Sequence, residues 1–444
     1  MPIILRNMAK VELPDDKRLE VLRLYVHESR SGEAVANYYY KDGVAFLPLN
    51  KRKLQQVSEI LGEPLIDERS LGNELVNEFK LNSTFKFRPH QTAPAYSLLE
   101  FVRNNQYAVL KAPCSCGKTV VMTWVAGNIG KKTLVLVDQG NLAGQWQEAF
   151  MMVWNHKATV LDAKNDLSGD VVIATFQYLH KHPELVKRMK DMFGTCLLDE
   201  CHINAAKTYR NVLFRLNNYY RIGTSATVMR KGYSEEILTD LIADVSVEMV
   251  DDKALVPEIR FIDTKCSFWS NNPDNFTKTM TKLSENADRN QLILNLIRSE
   301  VKQGRKVLFV GSRIESLKYL HSQLDGCKAV CYIGSTTLAQ DKALKTGLED
   351  GSINVILADK KVEKGVDLPD LDVVIIARPM NNQATVTQIV GRVLRPVEGK
   401  PQPIVYDLVD HGSLAWTFAR NRFWWYKRLK YKFDKPTYFF LDRS

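Results

Sequence analysis

The chain lacks any run of about 18 apolar residues, so no segment of it reads as a membrane-crossing helix. Its opening stretch (MPIILRNMAKVELPDDKR) lacks the apolar centre of a secretory signal. Cysteine is sparse and unpaired in pattern. Cys114, Cys116, Cys196, Cys201, Cys266, Cys327 and Cys331 are odd in number and scattered through 444 residues, a chain long enough to need no covalent staples. That is the usage of a reducing, cytoplasmic interior. Neither Cys114-x-Cys116 nor Cys327-x3-Cys331 has a second pair at matching spacing, which argues against a zinc site. No repeat of 20–50 residues is visible, so solenoids and propellers are disfavoured.

What is present is ordinary for a folded protein: 45% hydrophobic and 25% charged residues. At roughly 150 residues per domain, the length suggests two or three domains. Lys+Arg 61 against Asp+Glu 51 gives a net +10, which suits a polyanionic partner without identifying one. The excess is local. Residues 1–80 hold 12 basic and 13 acidic residues, whereas 420–444 hold eight basic residues against Asp434 and Asp442, a net +6.

Residues 1–80 read as a small α+β unit. Asn37–Pro48 (NYYYKDGVAFLP) predicts a hairpin turning at Lys41-Asp42-Gly43, and Lys51–Gly62 predicts a helix closed by its glycine. From about residue 85 short, uniformly apolar strands alternate with helices. They are Tyr107–Lys111, Thr133–Asp138, Val171–Thr175, Cys196–Leu198 and Tyr220–Gly223, then Lys306–Val310, Ala329–Ile333, Val355–Ala358, Val373–Ala377 and Ile404–Leu408. Such strands are buried on both faces, so two arrays imply two doubly wound parallel-sheet α/β domains, taken as 81–255 and 256–444. The polar stretch Ser270–Arg289 reads as an exposed excursion from the second array.

Ala112-Pro-Cys114-Ser115-Cys116-Gly117-Lys118-Thr119 follows a strand and precedes a helical run, Val120–Asn128. It fits G-x-x-x-x-G-K-[ST] with Ala in the first glycine place. A turn of this kind wraps phosphate oxygens with backbone N–H groups. Lys118 reaches the β/γ-phosphates, and the Thr119 hydroxyl can ligate Mg²⁺. Thr195-Cys-Leu-Leu-Asp199-Glu200-Cys201-His202 is an apolar strand ending in two acids and a histidine. In isolation an Asp-Glu pair here is more often a helix N-terminal charge pair. Downstream of a phosphate loop, Asp199 can hold Mg²⁺ and Glu200 can polarise an attacking water.

Together these segments resemble the superfamily 2 helicases. Gly117-Lys118-Thr119 looks like their Walker A motif, Asp199-Glu200-Cys201-His202 their DExH box, and Ser225-Ala226-Thr227 their motif III. Arg88-Pro-His-Gln91 resembles the upstream glutamine segment, in which Gln91 would read the adenine edge. Thr133–Trp146 and Val172–Gln177 look like motifs Ia and Ib, Val307–Arg313 like motif IV, Gly365-Val-Asp367 like motif V, and Gln388-Ile-Val-Gly391-Arg392-Val-Leu-Arg395 like motif VI (QxxGRxxR). The likeness spans roughly 85–410 in the family's order. It implies tandem RecA-like domains and ATP with Mg²⁺ as cofactors. Ser225, Thr227 and Gln388 would couple the ATP site to nucleic acid, with His202 linking Glu200 to motif III. Arg392 and Arg395 would act as arginine fingers. Gln145, Thr175 and Arg313 would contact sequence-independent nucleic acid. Family members often carry Thr where this chain has Asp359, so the contact there is open.

The compact chain and its N-terminal unit, followed by Asp67-Glu-Arg69, look like the UvsW-type and XPB-type branch, with a small phage-encoded branch-migration helicase the closest impression. That implies ATP-driven remodelling of single-stranded and branched DNA by a monomer in the host cytoplasm. An RNA-directed helicase, or a duplex translocase that separates no strands, are the alternatives. The basic aromatic stretch from Arg420 onward, with Trp424, Lys427 and Arg428, either binds single strands or packs as a terminal helix; the two are compatible.

Overall fold

The computed structural model describes residues 1–28, 34–113, 116–201, 207–225, 234–243, 245–251, 255–267, 276–334, 338–363, 371–394 and 399–433. The chain divides into two compact units, Met1–Asp251 and Asp252–Ser444.

The first unit begins with a five-stranded mixed sheet, in the order Tyr39–Lys41, Val44–Leu47, Ala9–Glu12, Ile3–Leu5, Leu65–Asp67. The expected hairpin is there: Tyr39–Lys41 runs antiparallel to Val44–Leu47, and the turn places Asp42 (φ 51°) and Gly43 (φ 80°) in the left-handed region that two-residue hairpins require. The expected helix spans Lys51–Leu61. The Asn50 side chain accepts from the Lys53 N–H at its start, and Gly62 (φ 69°) closes it.

This sheet is docked onto the rest of its unit through polar groups. Asp240, fully buried on the helix Ser234–Leu241, accepts from Lys53 Nζ at 2.7 Å and Asn37 Nδ2 at 3.1 Å, and meets His27 Nε2 at 2.7 Å. The other His27 ring nitrogen lies 2.6 Å from Glu236. The chain then runs back along the unit, with bridges from Ser70 to Asn218 and from Gly72 to Phe193.

Behind it lies a seven-stranded, wholly parallel sheet in the order Thr159–Val160, Val171–Thr175, Thr133–Val137, Thr195–Leu198, Tyr220–Ser225, Tyr107–Lys111, Val245–Glu248. Apolar clusters cover both faces: Leu134, Leu136 and Leu198 point to one, Leu110, Val135 and Leu197 to the other. The second unit repeats the plan. Its parallel sheet runs Ala329–Tyr332, Val355–Ala358, Val307–Val310, Val373–Ile376, Ile404–His411, Glu258–Ser267, Lys432–Phe433. The two doubly wound domains are therefore as expected, each sheet wider than the apolar runs alone suggest.

The expectation that Ser270–Arg289 is an exposed excursion needs correction from residue 276 onward, while 270–275 lie outside the described residues. Residues 276–302 form two helices, Phe276–Glu285 and Ala287–Lys302. Met280 and Leu283 are buried. Arg289, only 4% exposed, pairs with Asp410 at 2.7 and 3.0 Å. Its charge goes inward because a buried carboxylate meets it there.

Candidate active site

In a parallel sheet every strand ends at the same edge, and ligands gather at the carboxyl ends. The phosphate loop leaves the end of Tyr107–Lys111, and the acidic box leaves the end of Thr195–Leu198. Tyr220–Ser225 lies between them. Two strand spacings separate the motifs by roughly 10 Å, a gap that a lysine reaching toward a glutamate can span. It does: Lys118 Nζ lies 2.7 Å from Glu200 Oε1, with the two side chains 11% and 17% exposed.

The loop's shape follows from its glycine. Gly117 caps the helix Lys118–Ile129 in the left-handed region (φ 78°), and a Cβ there would sit 2.1 Å from Gln91 Nε2. Gln91 is buried and braced from both ends. Its Oε1 accepts from the Arg88 N–H at 3.0 Å, and its Nε2 donates to the Cys116 carbonyl at 2.9 Å. His90 Nε2 lies 3.1 Å from the same carbonyl. The described position of Gln91 thus shapes the phosphate loop, a role the sequence reading did not include. The backbone of Ala112 donates to the Ser225 carbonyl at 3.1 Å, joining loop and motif III directly.

Across the sheet, Asp199 is fixed by its backbone N–H to Leu136 and by Trp146, whose indole N–H donates to Oδ2 at 3.1 Å. Burial and the adjacent Glu200 push the Asp199 carboxyl above the usual range, while Lys118 opposes them. Glu200 adopts a positive φ of 46°, uncommon for a residue with a Cβ and a conformation that costs on the order of 1 kcal/mol. Strain of this kind concentrates at functional sites. Thr119 sits in the first turn of the loop helix. With Asp199 it offers a hydroxyl and a carboxylate, an all-oxygen set that suits Mg²⁺, a hard cation that keeps several of its waters.

Two positioning residues escaped the sequence reading. Trp146 is buried on the helix Ala143–Trp154, one position after Gln145, so the carboxylate of Asp199 is tied to the motif Ia helix. Tyr209, on Lys207–Leu213, donates to Asp138 at the end of the motif Ia strand. Gln177 of motif Ib donates to both, at 3.0 Å each. Burial, with Asp138, pushes the Tyr209 phenol up. Trp146 was hidden because its partner is 53 residues away; Tyr209 carried no signal in sequence at all. Thr175 caps the helix Phe176–Lys181 by accepting from the Tyr178 N–H at 3.1 Å.

In the second unit, Arg313 donates to the Thr277 carbonyl at 2.7 Å and lines a cavity of about 670 Å³ with Ser284, Asn290, Ser316, Asp359 and Lys360. Gln388 lies on the helix Gln383–Gly391, and Arg392 follows it, donating to the Val362 carbonyl at 3.3 Å. On the helix Ser413–Arg428, Trp424, Lys427 and Arg428 are exposed. Cys114, Ser115, His202, Thr227, Gly365, Asp367 and Arg395 lie outside the described residues.

A phosphate loop facing a strand-end acid pair on one parallel sheet, followed by a second parallel-sheet domain, is the arrangement of a nucleoside triphosphatase. Comparison with known proteins makes the chain a nucleic-acid-dependent ATPase of the superfamily 2 helicase class. Residues 84–230 match the family described as type III restriction enzyme, res subunit, and residues 288–397 match the helicase conserved C-terminal domain. The chain is 24% identical over 383 residues to probable helicase D10 of Escherichia phage T5, covering 85% of this chain and 82% of that protein. It is 23% identical over 428 residues to the DNA 3'-5' helicase XPB of Kineococcus radiotolerans, covering 90% and 74%. In fold it is similar to the DUF1998 helicase MrfA bound to DNA (TM-score 0.55, 16% identity, 86% and 56% covered). It is also similar to S. cerevisiae Dbp5 bound to RNA and ADP BeF3 (TM-score 0.55, 12% identity, 78% and 94% covered). Among the described residues no helix is long and apolar enough to cross a membrane.

Proposed function

We propose that this chain is an ATP-driven DNA translocase and helicase that remodels branched DNA, with limited duplex unwinding. The observation that carries the ATPase part of the reading is the 2.7 Å pairing of Lys118 with Glu200 across the intervening motif III strand, and the likeness to probable helicase D10 and the DNA 3'-5' helicase XPB supports the DNA part. In this reading Lys118 and the loop N–H groups hold the β- and γ-phosphates, and Thr119 and Asp199 hold Mg²⁺, which supplies charge neutralisation on the triphosphate. Glu200 orients and deprotonates the attacking water. Arg392 and Arg395 are the candidate cations for charge that develops on the γ-phosphate.

The links to nucleic acid follow from the same sheet edge. Gln145 and Thr175 are the candidate strand contacts of the first unit. Trp146 and the Asp138–Gln177–Tyr209 ring would carry a shift at the acidic box into those elements. In the second unit, the cavity at Arg313 mixes the cations Arg313 and Lys360 and the hydroxyls of Ser284 and Ser316 with the carboxylates Glu285, Glu315 and Asp359. Arg313 and Lys360 are therefore its candidate backbone contacts, and Asp359 accepts from the Gly334 N–H at 3.4 Å. Phosphate contacts of this kind carry no sequence information, so action would be sequence-independent.

Restriction-subunit likeness in residues 84–230 favours a second reading, translocation on duplex DNA without strand separation. One experiment separates the readings: ATP hydrolysis and strand displacement measured side by side on single-stranded DNA, forked DNA, four-way junctions, linear duplex and RNA. The proposed reading expects the largest effects on forks and junctions. Stimulation by duplex with no displaced strand supports translocation alone, and stimulation by RNA above every DNA overturns a DNA role.

A further inference from the structure

The stretch Ser413–Phe433 contains six cations, Arg420, Arg422, Lys427, Arg428, Lys430 and Lys432, and no acid. Structure sorts them. Arg422 is 1% exposed and forms a two-pronged pair with the fully buried Asp407, at 2.8 and 2.6 Å. It also donates to the Met380 carbonyl at 3.1 Å. Tyr426 donates to Asp407 at 2.8 Å, and Phe423 and Ala419 are buried beside it. Two side chains one helical turn apart therefore hold the same carboxylate, which fixes the rotation of the helix about its axis.

That fixed rotation leaves the opposite stripe facing outward. Arg420, Trp424, Lys427 and Arg428 occupy positions i, i+4, i+7 and i+8, and all are exposed. Trp424 is 46% exposed, an indole that the interior could have taken and did not. Lys427 Nζ lies 5.0 Å from the centre of its ring. Exposed Lys430 extends the positive surface beyond the helix, whereas Lys432 lies opposite Glu258 on the neighbouring strand.

We infer that this outward face is a stacking platform for single-stranded nucleic acid, lying outside the helicase motifs and resting on the nucleic-acid reading proposed above. Four exposed cations, Arg420, Lys427, Arg428 and Lys430, with no acid anywhere in Ser413–Phe433, suit a polyanion, and an anchored, solvent-facing indole suits an unpaired planar ring. A duplex keeps its bases stacked on one another and could use only the charges. A single strand meets both demands: its phosphates lie along the cations while a base rests on Trp424.

The test is binding of dye-labelled single-stranded oligonucleotide, and of a duplex of equal length, to the full-length chain. Trp424→Ala is expected to weaken single-strand binding about tenfold and duplex binding little, while Trp424→Phe retains most of it. The triple variant Arg420→Gln/Lys427→Gln/Arg428→Gln is expected to lower the slope of log affinity against log salt by about 2 on single strands. Unchanged thermal unfolding of each variant checks the fold, and the charge variant tests the face even if Trp424→Ala is unstable. Parental affinity in Trp424→Ala, or an equal loss on both nucleic acids, would overturn the platform while leaving the proposed function in place. Failure of the parent chain to bind any nucleic acid would overturn both.

Discussion

Replacing Glu200 with Gln probes the site at its most informative point, because one side chain carries two separable roles. The change keeps the shape and the positive φ of 46°, and removes only the charge and the basicity. Loss of a general base costs about 10²- to 10⁴-fold in turnover. Binding should move the other way. Lys118 is paired with Glu200 at 2.7 Å, so a triphosphate must compete for the ammonium, and a carboxylate beside phosphates repels them. For two charges about 4 Å apart at an effective dielectric near 20, the Coulomb energy is ~4 kcal/mol before desolvation. Desolvation of this largely buried pair offsets most of that and leaves about 1 kcal/mol, or roughly fivefold in affinity. Phosphate release measures the turnover, and titration with a fluorescent ATP analogue measures the affinity. Near-normal hydrolysis in Glu200→Gln would refute the assigned chemistry. Lost turnover with weakened nucleotide binding would refute the competition for Lys118.

Other perturbations separate the remaining parts. Lys118→Ala should abolish nucleotide binding and hydrolysis together, whereas Arg395→Ala should keep binding and lose turnover, both read from the same two assays. Trp146→Phe keeps a ring in place but withdraws the N–H from Asp199. It should raise the Mg²⁺ concentration for half-maximal activity about tenfold, measured by metal titration at saturating ATP. Asp240→Asn removes the buried charge that Lys53 and His27 share, and should destabilise the first unit by about 3 kcal/mol, visible in the denaturant midpoint.

What could be read from sequence, and what could not, follows from burial. Runs such as Thr133–Val137 and Val373–Ile376 are apolar throughout because helices cover both faces, so they announce themselves. In the two parallel sheets, the strands missed lie at or beside the edges. Thr159–Val160, Val245–Glu248 and Lys432–Phe433 are short and partly exposed, and Glu258–Ser267 alternates charged with apolar residues. The polar run ending at Arg289 misled for a related reason, since the partner that makes its charge tolerable, Asp410, is 121 residues away.

The site divides in the same way. The candidates Lys118, Thr119, Asp199 and Glu200 stand out in sequence because phosphate chemistry demands those residue types at fixed local spacing. Trp146 and Tyr209 do not, because each acts through a hydrogen bond to a distant segment. For the basic stretch after Arg420, sequence left packing and binding both open. The helix does the first with Arg422, Phe423 and Tyr426 and presents Arg420, Trp424, Lys427 and Arg428 outward, and only a rotation fixed by Asp407 could sort them.

The central claim is that ATP turnover at Lys118 and Glu200 drives movement on DNA. Its most direct measurement is steady-state ATP hydrolysis by the purified chain, with and without a four-way DNA junction, alongside displacement of one junction arm. The account predicts hydrolysis that rises severalfold with the junction and an arm displaced only when ATP is present, both lost in Lys118→Ala. Hydrolysis indifferent to every nucleic acid, or arm displacement that persists in Lys118→Ala, would contradict it.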